Sequence, residues 1–209
     1  MSFKKSYFDS GRDFNRAKGL HRLRKFIPKE YIKKKSDTHY ELLLLEKWKH
    51  LKHARKVLDA GCGRGQLLEL NPYDAEVFGV DIIESDVKDA KKKGLKVSVA
   101  DLTKKAPFKT SSFDGIVCSH VLEHIADPDI MLNEFKRILK NDGTLVIAVP
   151  NFSFKRFFRD PTHKRPYPKE ALYRLLTDYG FEDVHIVNGP HLNQFVSAFL
   201  LPFPKTRHF

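Results

Sequence analysis

The sequence predicts an α/β fold, a doubly wound and mostly parallel sheet with helices on both faces and a basic extension at its N-terminus. Three observations predict it. Short apolar runs alternate with amphipathic helical stretches, the pattern of parallel strands joined by crossover helices. The first run, Val57-Leu58-Asp59, passes directly into Gly61-Cys62-Gly63-Arg64-Gly65 and then into helical Gln66-Leu67-Leu68-Glu69-Leu70, giving strand, glycine turn and helix in succession. The length, 209 residues, suits one well-buried domain with a short appendage rather than two domains.

The elements follow in order. Asp37 or Thr38 is placed to cap a helix over residues 38–52, with Tyr40, Leu43, Leu44 and Leu51 on one face. Strands are expected at residues 56–60, 76–81, 95–100, 115–119, 144–150 and 183–188. A helix over 128–140 begins at Pro128, turns Met131, Leu132, Phe135, Ile138 and Leu139 inward, and ends at Asn141-Asp142-Gly143. Another, over 168–179, buries Leu172, Leu175 and Leu176 and stops at Gly180. Residues 191–203 are apolar and fit a last strand, a short helix or an exposed tail.

Composition narrows the class. With 41% hydrophobic and 31% charged residues, the chain lies in the range that folds. Its two cysteines, Cys62 and Cys118, form no CxxC pair, and no Cys/His cluster stands at zinc spacing, so neither a disulfide framework nor a metal site is expected. The basic start lacks the apolar core of a secretory signal, and no run approaches the roughly 18 apolar residues of a membrane span. A cytoplasmic protein is expected.

The net charge of +12 is concentrated at one end. Residues 1–35 hold twelve Lys and Arg against three acids, so nine of the excess charges lie there. The chain therefore divides into a basic arm, 1–36, and a domain, 37–209. Such an arm can attract RNA or an anionic membrane surface, or can simply be solvated.

Acidic residues stand at the carboxyl ends of three successive strands: Asp59, Asp81 and Asp101. Ligands of open parallel sheets bind beyond those ends, and a carboxylate on the second strand suits the hydroxyls of a ribose. A dinucleotide reading fits less well. The loop reads GCGRG rather than GxGxxG, and Asp59 just before it would repel a pyrophosphate.

VLDAGCGRG, then GVDI, ADL, FDGIVCSHVLEHIADP and LKNDGTLVIAVPN, occur in that order over roughly residues 40–188. In these motifs the chain resembles the class I S-adenosylmethionine-dependent methyltransferases, of small-molecule type. The resemblance implies S-adenosylmethionine as the methyl donor and transfer to an oxygen or nitrogen of an acceptor, a small molecule in the first instance; the alternatives are an RNA or protein methyltransferase that docks its substrate through the basic arm, and a non-catalytic cofactor-binding protein. It implies that Asp59, Gly61, Cys62 and Gly63 surround the methionine part of the donor. By the same resemblance Asp81 meets the ribose, Ile82, Asp101 and Leu102 meet the adenine, and Ser119 and His120 lie near the methionine and the acceptor.

The acceptor is expected to meet residues 151–169, NFSFKRFFRDPTHKRPYPK, a loop at the same sheet edge. Its DPTH and RPY stretches look like those of small-substrate members of the family. His163 is the expected base, with His120 beside it, because imidazole can take a proton near neutral pH. Arg159, Lys164 or Arg165, with Tyr167, are expected to hold the acceptor. His124, in VLEHI, is expected to serve only the turn before Pro128.

Overall fold

The structure is a computed structural model and describes residues 38–150, 157–188 and 195–200; of residues 38–42, 188 and 195–200 only the backbone is described. The basic arm and its expected partners lie outside the described residues.

Helix α1 (Thr38–Trp48) continues as a 3-10 turn (Lys49–Leu51) and leads to β1 (Lys56–Ala60), α2 (Gln66–Glu69), β2 (Glu76–Asp81), α3 (Glu84–Lys92) and β3 (Val97–Val99). Then come β4 (Phe113–Ser119), a 3-10 turn (Leu122–His124), α4 (Asp129–Ile138), β5 (Leu139–Pro150), α5 (Lys169–Asp178), β6 (Val184–Asn188) and β7 (Phe195–Leu200). The sheet runs β3-β2-β1-β4-β5-β7-β6. The first five are mutually parallel, and β7 lies antiparallel between β5 and β6. Of the three conformations open to the C-terminal segment, residues 195–200 adopt the strand.

Alternation along the strands divides the core. Leu58, Ala60, Ile116, Cys118, Leu145 and Ile147 pack beneath α4 and α5, together with Met131, Leu132, Phe135, Leu172 and Leu176. Val57, Val117 and Val146 meet Trp48 and Leu51 on the opposite face. The Trp48 indole donates to Leu67 O at 3.2 Å, tying α1 to α2. Helix α3 buries Val87 and Ala90 against Cys62, Leu68 and Val97.

Two boundaries depart from expectation. The helix over 128–140 stops at Ile138, and Leu139 already pairs with Phe113 of β4. Ser111 N and Ser112 N donate to Arg137 O and Ile138 O, which draws the end of α4 onto the sheet. Asn141-Asp142-Gly143 therefore forms a bulge within β5, and the regular pairing resumes at Gly115 with Thr144. Strand β3 is shorter than 95–100 because Leu95 N closes α3 through Ala90 O at 3.3 Å. The stop at Gly180 holds: its φ is +77°, and Phe181 N reaches back to Leu176 O at 3.1 Å.

Candidate functional site

Beyond the carboxyl ends of β1, β2 and β4 lies a cavity of about 520 Å³, within the range of small-ligand sites. One part is formed by Gly61, Asp81, Ile82, Ile83, Asp101, Leu102 and Thr103. The other is formed by His120, Val121, His124, Ile125, Thr162 and Lys164. Six of these carry sequence expectations and come together as expected: Gly61, Asp81, Ile82, Asp101, Leu102 and His120. Lys164, one of three expected cations, joins them.

The glycine turn is shaped by its neighbours. Gly61 has φ +86°, and a Cβ there would come within 2.1 Å of Val121 Cγ2, so the β1 loop and the β4 loop touch through a missing side chain. Gly61 N and Cys62 N both donate to Val80 O, at 2.8 and 3.0 Å. Asp81 completes the arrangement: its Oδ2 accepts from Gly63 N at 2.7 Å and its Oδ1 from Ile83 N at 2.9 Å. Each oxygen retains acceptor capacity toward the cavity.

Beside Asp81 the wall becomes apolar and open. Ile82 is 64% exposed and Ile83 is 52% exposed, an unusual state for adjacent branched residues at a cavity mouth. Asp101 closes an Asx turn, its Oδ1 accepting from Thr103 Oγ1 at 2.6 Å and Thr103 N at 2.9 Å. Those bonds hold its carboxyl below the ordinary carboxylate range.

Asp59 does not reach the cavity. It lies on the Val57 face of β1, under α1, where burial raises its pKa to about 7 despite the attraction of Lys47. Lys47 is itself buried, and burial lowers its pKa to about 8. Strand alternation, not nearness to the glycines, sets the place of Asp59. Cys62 also turns inward: it packs with Val87 and Val97, and burial pushes its thiol up to about 12. Gly63 serves through its amide on Asp81, and Ser119, half-buried at the end of β4, lies outside the lining.

The acceptor side is rearranged more. His163 does not line the cavity; its Nδ1 donates to Phe157 O at 2.8 Å and its ring stacks against Phe157 and His124. Tyr167 is core, 2% exposed, packed with Leu172 and Cys118. Arg165 rests over the Tyr167 ring, and Arg159 is exposed away from the lining. In their place stand His124 and Thr162, linked by His124 Nδ1 to Thr162 Oγ1 at 3.0 Å. His120, with φ +57°, holds its Nδ1 3.2 Å from Glu123 Oε1. The Glu123 carboxylate is fully buried. A left-handed histidine beside a buried acid is the kind of local strain that gathers at functional sites.

A family model described as "Methyltransferase domain" matches residues 20–186. The chain belongs to the class I methyltransferase family. Among curated methyltransferases, a "Probable S-adenosylmethionine-dependent methyltransferase" of Mycobacterium tuberculosis is 34% identical over 149 residues, covering 66% of this chain and 54% of its own length. A ubiquinone biosynthesis O-methyltransferase of Xanthomonas oryzae is 35% identical over 103 residues, 46% of this chain and 43% of that one. The chain thus spans about half the length of these curated relatives. The crystal structure of a SAM-dependent methyltransferase from Archaeoglobus fulgidus superposes with a TM-score of 0.65 at 25% identity, covering 90% of this chain and 94% of the other.

Proposed function

We propose that the chain binds S-adenosylmethionine in this cavity and transfers its methyl group to an oxygen or nitrogen of a small-molecule acceptor. The observation that carries the reading is the pairing of Asp81 with the exposed Ile82 and Ile83 along one wall. A nucleoside needs both: a carboxylate to accept from ribose hydroxyls, and an apolar face to cover its base. Asp101 and Leu102 extend that wall toward the base edge.

When bound, S-adenosylmethionine supplies an electrophilic methyl carbon on a sulfonium. The chain has to bring an acceptor atom into line with that carbon and keep water out, and positioning of this kind supplies much of the acceleration. His120 is the residue assigned as base. Its Nδ1–H donates to Glu123, which orients the ring at the cavity wall so that Nε2 can take the acceptor's proton as the new bond to carbon forms. Lys164 and Thr162 offer a cation and a hydroxyl to a polar acceptor on the same wall. His163, expected to be the base, instead orders the loop that carries these two.

The ubiquinone biosynthesis O-methyltransferase relative favours a small acceptor bearing hydroxyl groups. A screen of phenolic, alcoholic and amine acceptors, read by formation of S-adenosylhomocysteine, tests the reading. Turnover with a small acceptor that His120→Gln reduces by about 100-fold or more is the expected result. Turnover confined to RNA or protein substrates would contradict it.

A further inference from the structure

Glu123, His124 and His163 offer one ligand atom each, and these atoms all lie within 4.8 Å of one another. We propose that they form a site for a divalent first-row transition metal ion at the acceptor end of the cavity. The proposal rests on the cavity's reading as a methyltransferase site only for its role; the site itself stands on the geometry of these three residues.

Each ligand is prepared for a cation. Glu123 is fully buried, and while its Oε1 meets His120, its Oε2 has no hydrogen-bond partner. A buried carboxylate oxygen without a partner carries a desolvation cost that a metal ion would offset. His163 spends its Nδ1–H on the Phe157 carbonyl at 2.8 Å, which leaves Nε2, 3.7 Å from Asp160 Oδ2, as the nitrogen that a metal ion would take in place of a proton. His124 is held in the same way, its Nδ1 within 3.3 Å of Thr162 O and 3.0 Å of Thr162 Oγ1. Thr162 Oγ1 gives its own proton to Asp160 Oδ1 at 2.6 Å and so accepts from the histidine. Anchoring one ring nitrogen on an oxygen so that the other is basic is how metal-binding histidines are oriented.

The two segments are also fixed to each other. Lys164 N and Arg165 N both donate to Glu123 O, at 2.8 and 3.2 Å, so the loop bearing His163 docks on the turn bearing Glu123 and His124. Two imidazoles and one carboxylate suit Zn²⁺, Fe²⁺, Co²⁺ or Mn²⁺. Metal-to-ligand bonds of about 2.1 Å in a tetrahedral site require ligand atoms about 3.4 Å apart. The three ligand atoms, within 4.8 Å of one another, draw closer when the ion binds. With three protein ligands a fourth position stays open, and His124 places it at the cavity wall, where an acceptor oxygen can occupy it. Sequence spacing concealed the site: Glu123 and His124 are adjacent, and His163 arrives from another loop.

The test titrates the full chain with Co²⁺, following its visible absorption, and with Zn²⁺ in competition. Expected is one saturable site per chain, with affinity reduced at least about 10- to 100-fold in His163→Gln and in His124→Gln and unchanged in His53→Gln, an exposed histidine elsewhere. S-adenosylhomocysteine binding, measured in parallel, should persist in His163→Gln, whose parent residue does not line the cavity. That retention reports an intact fold and separates failure of the metal site from failure of the donor site. Absence of a saturable one-to-one Co²⁺ site, or equal affinity in both His variants and the parent chain, overturns the proposal.

Discussion

Asp81 Oδ2 accepts the Gly63 amide at 2.7 Å, so the carboxylate that ends β2 is also the tether of the glycine loop that follows β1. Its other oxygen holds Ile83 N. Asp81→Asn can keep only one of these two acceptors. The variant should lose about 1.5–3 kcal/mol of stability even without ligand, the range for hydrogen bonds to a charged group. Urea unfolding of the ligand-free protein measures it; an unchanged midpoint would show that the tether contributes nothing.

Gly61 and Val121 form a second link between loops. Gly61→Ala sets a Cβ 2.1 Å from Val121 Cγ2 at a φ of +86°, and should destabilise by about 1–3 kcal/mol from backbone strain plus the clash. Val121→Ala removes the clash but not the strain. The double variant should therefore recover part of the loss, and a double-mutant cycle in urea gives the coupling. Strict additivity would mean that the two loops move apart freely.

The Asp59 and Lys47 pair gives the fold a pH signature. Burial raises Asp59 from 3.8 to about 7. A group raised in the folded state contributes fully below its unfolded value and loses that contribution as pH rises through the folded one. The Asp59 contribution therefore declines between about pH 4 and 7. Lys47, lowered from 10.5 to about 8 by burial, contributes fully at high pH and loses that as pH falls through about 8. Asp59→Asn removes only the first window. Its urea midpoint should gain on the parent chain as pH rises from 4 to 7; a gap that moves in the parent's favour would show that Asp59 is held as an anion.

Tyr167 is the position where expectation and structure diverge most usefully. Its hydroxyl is buried without a hydrogen-bond partner, and burial raises its pKa. Tyr167→Phe should leave stability unchanged or raise it by up to about 2 kcal/mol, with KM for the acceptor unchanged. A higher KM with intact stability would return Tyr167 to the acceptor site.

The half of the cavity around Asp81 was legible because it is written locally. Strand, glycine turn and terminal Asp81 or Asp101 each lie within a few residues, and parallel topology brings strand ends together. The fold was legible for the same reason, apart from the start of β3 and from Leu139, whose pairing with Phe113 depends on a contact 26 residues away in sequence. The acceptor half was not. DPTH and LEH are short polar stretches whose partners are set by how one loop lies on another, so His163 and His124 exchanged their expected places. Asp59 was misplaced for a simpler reason: period-two alternation puts it with Val57, facing α1.

Every role assigned to the cavity depends on its receiving S-adenosylmethionine beside Asp81. Calorimetric titration of the purified chain with S-adenosylhomocysteine tests it most directly. Expected is a single site whose affinity falls about 10- to 100-fold in Asp81→Ala, the loss expected from hydrogen bonds to a charged group, while Tyr167→Phe binds as the parent does. No binding by the parent chain, or equal binding by Asp81→Ala, would contradict it.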